Sequence, residues 1–163
     1  MPVPLLTFYA GWEEHNALLR QALSGLADDQ LSLAPADGLW SVRMLASHII
    51  ANRAWWFHSW MGVGAEELAR FVDFDEGPDA ETHDADELVA ALDSSWANVA
   101  SSLAGWTEAD LPERFQGPTP NAAWERPWRT RRYIAWHVAE HDVHHGGEIS
   151  LTLGMHGLNG LDM

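Results

Sequence analysis

Cysteine and lysine are both missing from this chain, and its nine basic residues, all arginine, face 24 acidic ones for a formal charge of −15. Without cysteine there is no disulfide, no thiolate-ligated zinc or iron–sulfur centre, and no thiol nucleophile from the protein itself. The negative balance argues against nucleic acid, whose binding rests on clustered Lys and Arg. Anionic membrane surfaces are disfavoured for the same reason. No apolar run approaches the ~20 residues of a membrane span, and the first residues, Met1 to Trp12, lack the basic start and cleavage site of an export signal. A cytoplasmic protein is expected, with a small molecule as its substrate.

What is present fits one domain over residues 1–163, since 18.2 kDa with 47% hydrophobic residues can bury a core without covalent staples. Four segments carry helical periodicity. The first spans about Leu5 to Leu26, where Leu5, Tyr9, Trp12, Asn16, Leu19, Leu23 and Leu26 form one stripe with a polar interruption at Asn16. The second runs from about Ser41, an N-cap, to Met61, with Met44, Leu45, His48, Asn52 and Trp55 on one face. The third covers about Ala85 to Ala104 and the fourth about Thr130 to Leu153. Between the second and third lies a Gly-, Pro- and acid-rich connection with room for a short helix at Ala65–Val72. Its acidic residues from Asp73 to Asp86 read as solvated. A proline-rich loop precedes the fourth helix and leaves room for very short strands. Amphipathic helices of this length bury their stripes against one another, so an all-α four-helix bundle is expected, with long connections after helices two and three.

The fourth helix holds His137, His141, His144 and His145. Positions four apart on a helix differ by only ~40° around the axis and ~6 Å along it, so an i,i+4 imidazole pair can reach one ion. Projected with Ile134, Val138 and Ile149, His141 and His145 fall within the apolar stripe, and His137 and His144 at its flank. Trp136, Val143 and Leu153 fall off the stripe, toward solvent or a partner subunit. His48, on the apolar face of the second helix, is the natural third ligand, because metal sites with an open position use three protein ligands. Three buried imidazoles without an ion or a dense hydrogen-bond network would be costly to desolvate. His15, His58, His83 and His156 are expected at the surface.

The segment Trp40-Ser41-Val42-Arg43-Met44-Leu45-Ala46-Ser47-His48-Ile49, followed by His137-Val138-Ala139-Glu140-His141-Asp142-Val143-His144-His145-Gly146-Gly147-Glu148-Ile149, resembles the DinB/YfiT-like family of metal-dependent enzymes. The resemblance implies a bundle in up-down-down-up order, a homodimer, and a metal triad at His48, His141 and His145. Members often carry Arg and Gln where this chain has Gly146 and Glu148. Known relatives include transferases and isomerases that use bacillithiol, mycothiol or glutathione.

Imidazole ligands suit zinc or nickel. One expected reaction is transfer to a low-molecular-weight thiol activated by the ion; with no cysteine, the thiol must come from a cofactor. The alternatives are hydrolysis by a metal-activated water and a non-catalytic metal-binding bundle with a fourth protein ligand such as Glu148 or Asn16. Glu148 is the candidate general base, or else a carboxylate that orients His144 or His145. Asp142 lies ~100° from His141 and is expected to face outward. Tyr9, Trp12 and Trp55 are candidates for the apolar wall of a substrate pocket. Asn16 and Asn52 are expected near the ion, pairing with each other or holding a water. His137 and His144 are expected to flank the ligands.

Overall fold

The computed structural model describes residues 2–161. The helix boundaries follow local chemistry. Ser41 caps α4 (Val42–Ala54) by accepting from the Met44 amide, and Asp84 and Glu87 form a reciprocal capping box at the start of α6 (Ala85–Gly105). Thr130 Oγ1 accepts from the Tyr133 amide and opens α7 (Arg131–Met155). The first helical segment differs from expectation. It is broken at Tyr9 into α1 (Leu5–Phe8) and α2 (Ala10–Leu23), and it stops before Leu26 because Gly25 adopts φ +75°. The short helices α3 (Asp28–Leu31) and α5 (Glu66–Ala69) follow α2 and α4 respectively. In the proline-rich loop, β1 (Arg114–Gln116) and β2 (Trp128–Thr130) pair antiparallel, with Phe115 opposite Arg129.

Helix α4 continues from Trp55 to Trp60 as a π-helical turn rather than as α-helix. Such wide turns are rare and concentrate at functional sites. Here the turn buries Phe57 against Trp106 and packs Trp56 on Trp60, with ring centroids 4.6 Å apart.

The long helices share one core: α2 packs on α6 and α7, and α4 packs on the same two. Helix α7 is therefore covered from two sides. Its buried stripe runs through Arg131, Ala135, Val138, Asp142, Gly146, Ile149 and Leu153, at steps of three and four. This corrects three expectations. Asp142 is not outward but fully buried, Leu153 is buried too, and His141 and His145 sit beside the stripe, partly buried, rather than in its middle. Trp136 and Val143 are exposed on the outer face of α7.

Asp142 is buried because a cation is buried with it. Arg53 of α4 places both Nε and Nη2 2.8 Å from Asp142 Oδ2, and Trp12 Nε1 donates to the same oxygen at 2.5 Å. Arg53 Nη1 donates to Asn16 Oδ1 and to Ser95 Oγ, so one guanidinium ties α2, α4, α6 and α7 together. Asn16 thus partners Arg53, not Asn52 or an ion. His15, expected at the surface, is buried and donates from Nε2 to Asp142 O at 3.0 Å. A Cβ on Gly146 would lie 2.6 Å from the His15 ring, which explains why no arginine stands at that position.

Truncating one partner of a buried ion pair strands the other charge, at a cost of about 3–5 kcal/mol, whereas an apolar pair of similar volume can be neutral. Arg53→Met should lower unfolding stability by about that amount, and the Arg53→Met/Asp142→Leu double variant should recover much of it. Urea denaturation of the three proteins checks this.

Candidate metal centre

The three histidines come from two helices that pack against each other, His48 from α4 and His141 and His145 from α7. Each offers one ring nitrogen, and the three atoms lie within 4.8 Å of one another. Ring centroids are 4.9 Å apart for His48–His141, 5.2 Å for His48–His145 and 4.4 Å for His141–His145. All three rings are partly buried.

Two of the three rings are oriented by carboxylates. His48 Nδ1 donates to Asp75 Oδ2 at 2.5 Å, and His145 Nδ1 donates to Glu148 Oε2 at 2.6 Å. Each bond leaves Nε2 as the free nitrogen and makes the ring a better ligand, the arrangement common to metal-binding imidazoles. His141 Nδ1 is buried with no partner. One nitrogen from each of three clustered rings, two of them oriented by carboxylates and the third bearing an orphaned buried nitrogen, is a donor set a divalent cation fits.

Asp75 was not legible in the sequence, where it reads as part of a solvated acidic connection. It is held by a relay. Buried Arg43 donates to the carbonyls of Glu81 and His83, anchoring the connection onto α4. The His83 ring stacks on Phe74, centroids 4.0 Å apart, and its Nε2 donates to Phe74 O. Phe74 precedes Asp75, so the packing delivers the carboxylate to His48. His83 is thus half-buried rather than a surface residue; His58 is half-buried as well, and His156 is exposed.

A cleft of about 320 Å³ opens over His48 and His141, bordered by Asn52, Trp55, Trp56 and His137. Trp55 and Asn52 lie where the sequence places them, and Trp56 joins them. Tyr9, Trp12 and Asn16 do not line this cleft. Trp12 is buried against Tyr9 and Trp96, and Asn16 belongs to the Arg53 cluster. A second hollow of about 540 Å³ borders His145 and Glu148 on the side of Trp40. The Trp40 ring packs 4.8 Å from His48 and 6.0 Å from His145, so beyond starting α4 it covers one edge of the cluster. His137 stacks on Tyr133 and meets Trp56, while His144 is exposed, 3.7 Å from Glu148. Of the side chains considered as a fourth ligand, Asn16 is held by Arg53 and Glu148 by the far nitrogen of His145.

Burial, reinforced by the imidazoles of His145, His48, His137 and His144, pushes His141 down from 6.5 to about 3. Burial lowers His145 as well, opposed by its hydrogen bond to Glu148. Neutral imidazoles are the metal-binding form. The sign for the metal-free protein follows. The unfolded chain takes up a proton at His141 near 6.5 while the folded chain does so only near 3, so stability falls as pH drops through that window. The urea midpoint should decrease between about pH 7 and pH 4, and by less in His141→Gln, which has no such proton to bind.

The chain was compared with known proteins on sequence and on structure. None of the curated proteins matches it significantly. A DinB-like protein from Bacillus cereus superposes with TM-score 0.73 at 17% identity, over 100% of this chain and 99% of that one. YfiT from Bacillus subtilis, described as a probable metal-dependent hydrolase with an unusual four-helix bundle topology, superposes with TM-score 0.70 at 21% identity, over 94% of this chain and 87% of that one. The DinB superfamily model matches residues 12–149, which include all three histidines of the cluster, the whole of α4 and α7 as far as Ile149; the chain belongs to the DinB superfamily.

Proposed function

We propose that this protein is a divalent-metal-dependent enzyme that hydrolyses a small molecule, with His48, His141 and His145 as the metal ligands and zinc or nickel as the ion. The observation that carries the reading is the set of three nitrogens within 4.8 Å, two of them on rings oriented by carboxylates. The description of YfiT as a metal-dependent hydrolase is in keeping with it. A divalent ion held by neutral imidazoles keeps its full charge and, as a Lewis acid, supplies acidification of a coordinated water to a pKa of ~7.

The chain's own residues supply the rest. Asp75 and Glu148 hold His48 and His145 in one tautomer through Nδ1. We assign Glu148 to orientation rather than to proton abstraction, a reading its bond to His145 supports. His137 borders the cleft, its ring centroid 5.7 Å from that of His141, and we assign it the role of proton acceptor. Trp55 and Trp56 exclude water from one wall. Transfer to a thiol such as bacillithiol or glutathione is the weaker reading, because no arginine among the described residues lines the cleft to meet such a cofactor's carboxylates. The same proposal takes the long helices in up-down-down-up order. It also takes a homodimer as the working form, formed across the exposed Trp136, Val143, Leu151 and Met155 of α7.

Elemental analysis with a turnover assay tests the reading. The wild-type chain should carry one zinc or nickel per protomer, and His48→Ala, His141→Ala or His145→Ala should each abolish stoichiometric binding. Asp75→Asn should weaken metal affinity about 10–100-fold, since it removes an orienting acceptor. With zinc bound, His137→Ala should keep its metal yet hydrolyse 4-nitrophenyl acetate at least ~100-fold more slowly, the low end for loss of a general base.

A further inference from the structure

We infer that the substrate of this cleft carries a cationic group, an ammonium or a quaternary amine, which binds between the tryptophan wall and the acidic rim while its reacting part faces the histidine cluster. The inference rests on the metal-centre reading above and names the substrate class for that site.

Three features of the cleft point the same way. Its rim carries Asp73 and Glu76, both exposed, so neither is committed to an internal ion pair as Asp75 is. Its wall presents Trp55 and Trp56, and indole faces attract organic cations through the ring quadrupole. Asn52, only 7% exposed, borders the cleft, and its Oδ1 has no hydrogen-bond partner. A buried amide oxygen left unpaired in the free protein is an acceptor for a donor that arrives with the ligand. No arginine among the described residues lines the cleft, so apart from the ion itself no cationic group borders it to meet an anionic tail. Both tryptophans belong to the π-turn that continues α4.

The test uses the zinc-loaded protein and three hydroxamates that share a metal-chelating head: β-alanine hydroxamate with an ammonium tail, succinic monohydroxamate with a carboxylate tail, and butyrohydroxamate with a neutral one. Affinities are read by calorimetry at about 0.15 M salt, where charges beyond ~8 Å are screened. The ammonium compound should bind at least tenfold tighter than the carboxylate compound. In Asp73→Asn/Glu76→Gln that ratio should shrink at least threefold, with zinc content unchanged. Equal binding, or tighter binding of the carboxylate compound, overturns the inference. So does a preference unaltered in the double variant, which assigns it to the overall charge of −15. A protein that takes up no zinc fails the metal-centre reading itself, and the inference with it.

Discussion

The buried pairing of Arg53 with Asp142 sets the register between the two helices that carry the histidines. Arg53 lies five residues after His48 on α4, and Asp142 directly follows His141 on α7. With both side chains fully buried, sliding either helix by one turn would strand a charge in the core. Because the same guanidinium reaches Asn16 on α2 and Ser95 on α6, the register of the whole bundle converges on one point. The His15 ring closes the arrangement from α2, packed against Gly146 and bonded to Asp142 O.

On that frame the histidine cluster resists protonation. Its imidazoles crowd within 4.4–5.2 Å of one another, and protonation of His141 is opposed by burial and by its neighbours. Two of the rings hold carboxylates on their outer nitrogens, which fixes their orientation and makes the inner nitrogens better donors to a metal. The proposed enzyme function, and its preference for a cationic substrate, build on this arrangement and on the cleft beside it.

Much of this was legible in the sequence because helix periodicity and capping are local. Ser41 and Thr130 mark helix starts, and the spacing of His141 and His145 places both on one face with His48 opposite. The misses trace to non-local causes. A helical wheel assumes one buried side, but α7 packs on both α2 and α4, so Asp142 and Leu153 are inside although they lie off the stripe drawn through His141. Asn16 read as a polar residue near the ion, yet its partner is an arginine 37 positions away. Asp75 reaches His48 only through the Arg43, His83 and Phe74 contacts, none of which has a sequence spacing to betray it. The π-turn at Trp55–Trp60 was not foreseen, and the stretch reads in the sequence as ordinary helix to Met61.

X-ray absorption at the metal edge of the zinc-loaded protein addresses the central claim most directly. Three imidazole nitrogens at about 2.0–2.1 Å, plus one light, exchangeable ligand, are expected. Fewer than three imidazoles, or a fourth ligand from a protein carboxylate, would contradict an open three-histidine site and with it the proposed chemistry.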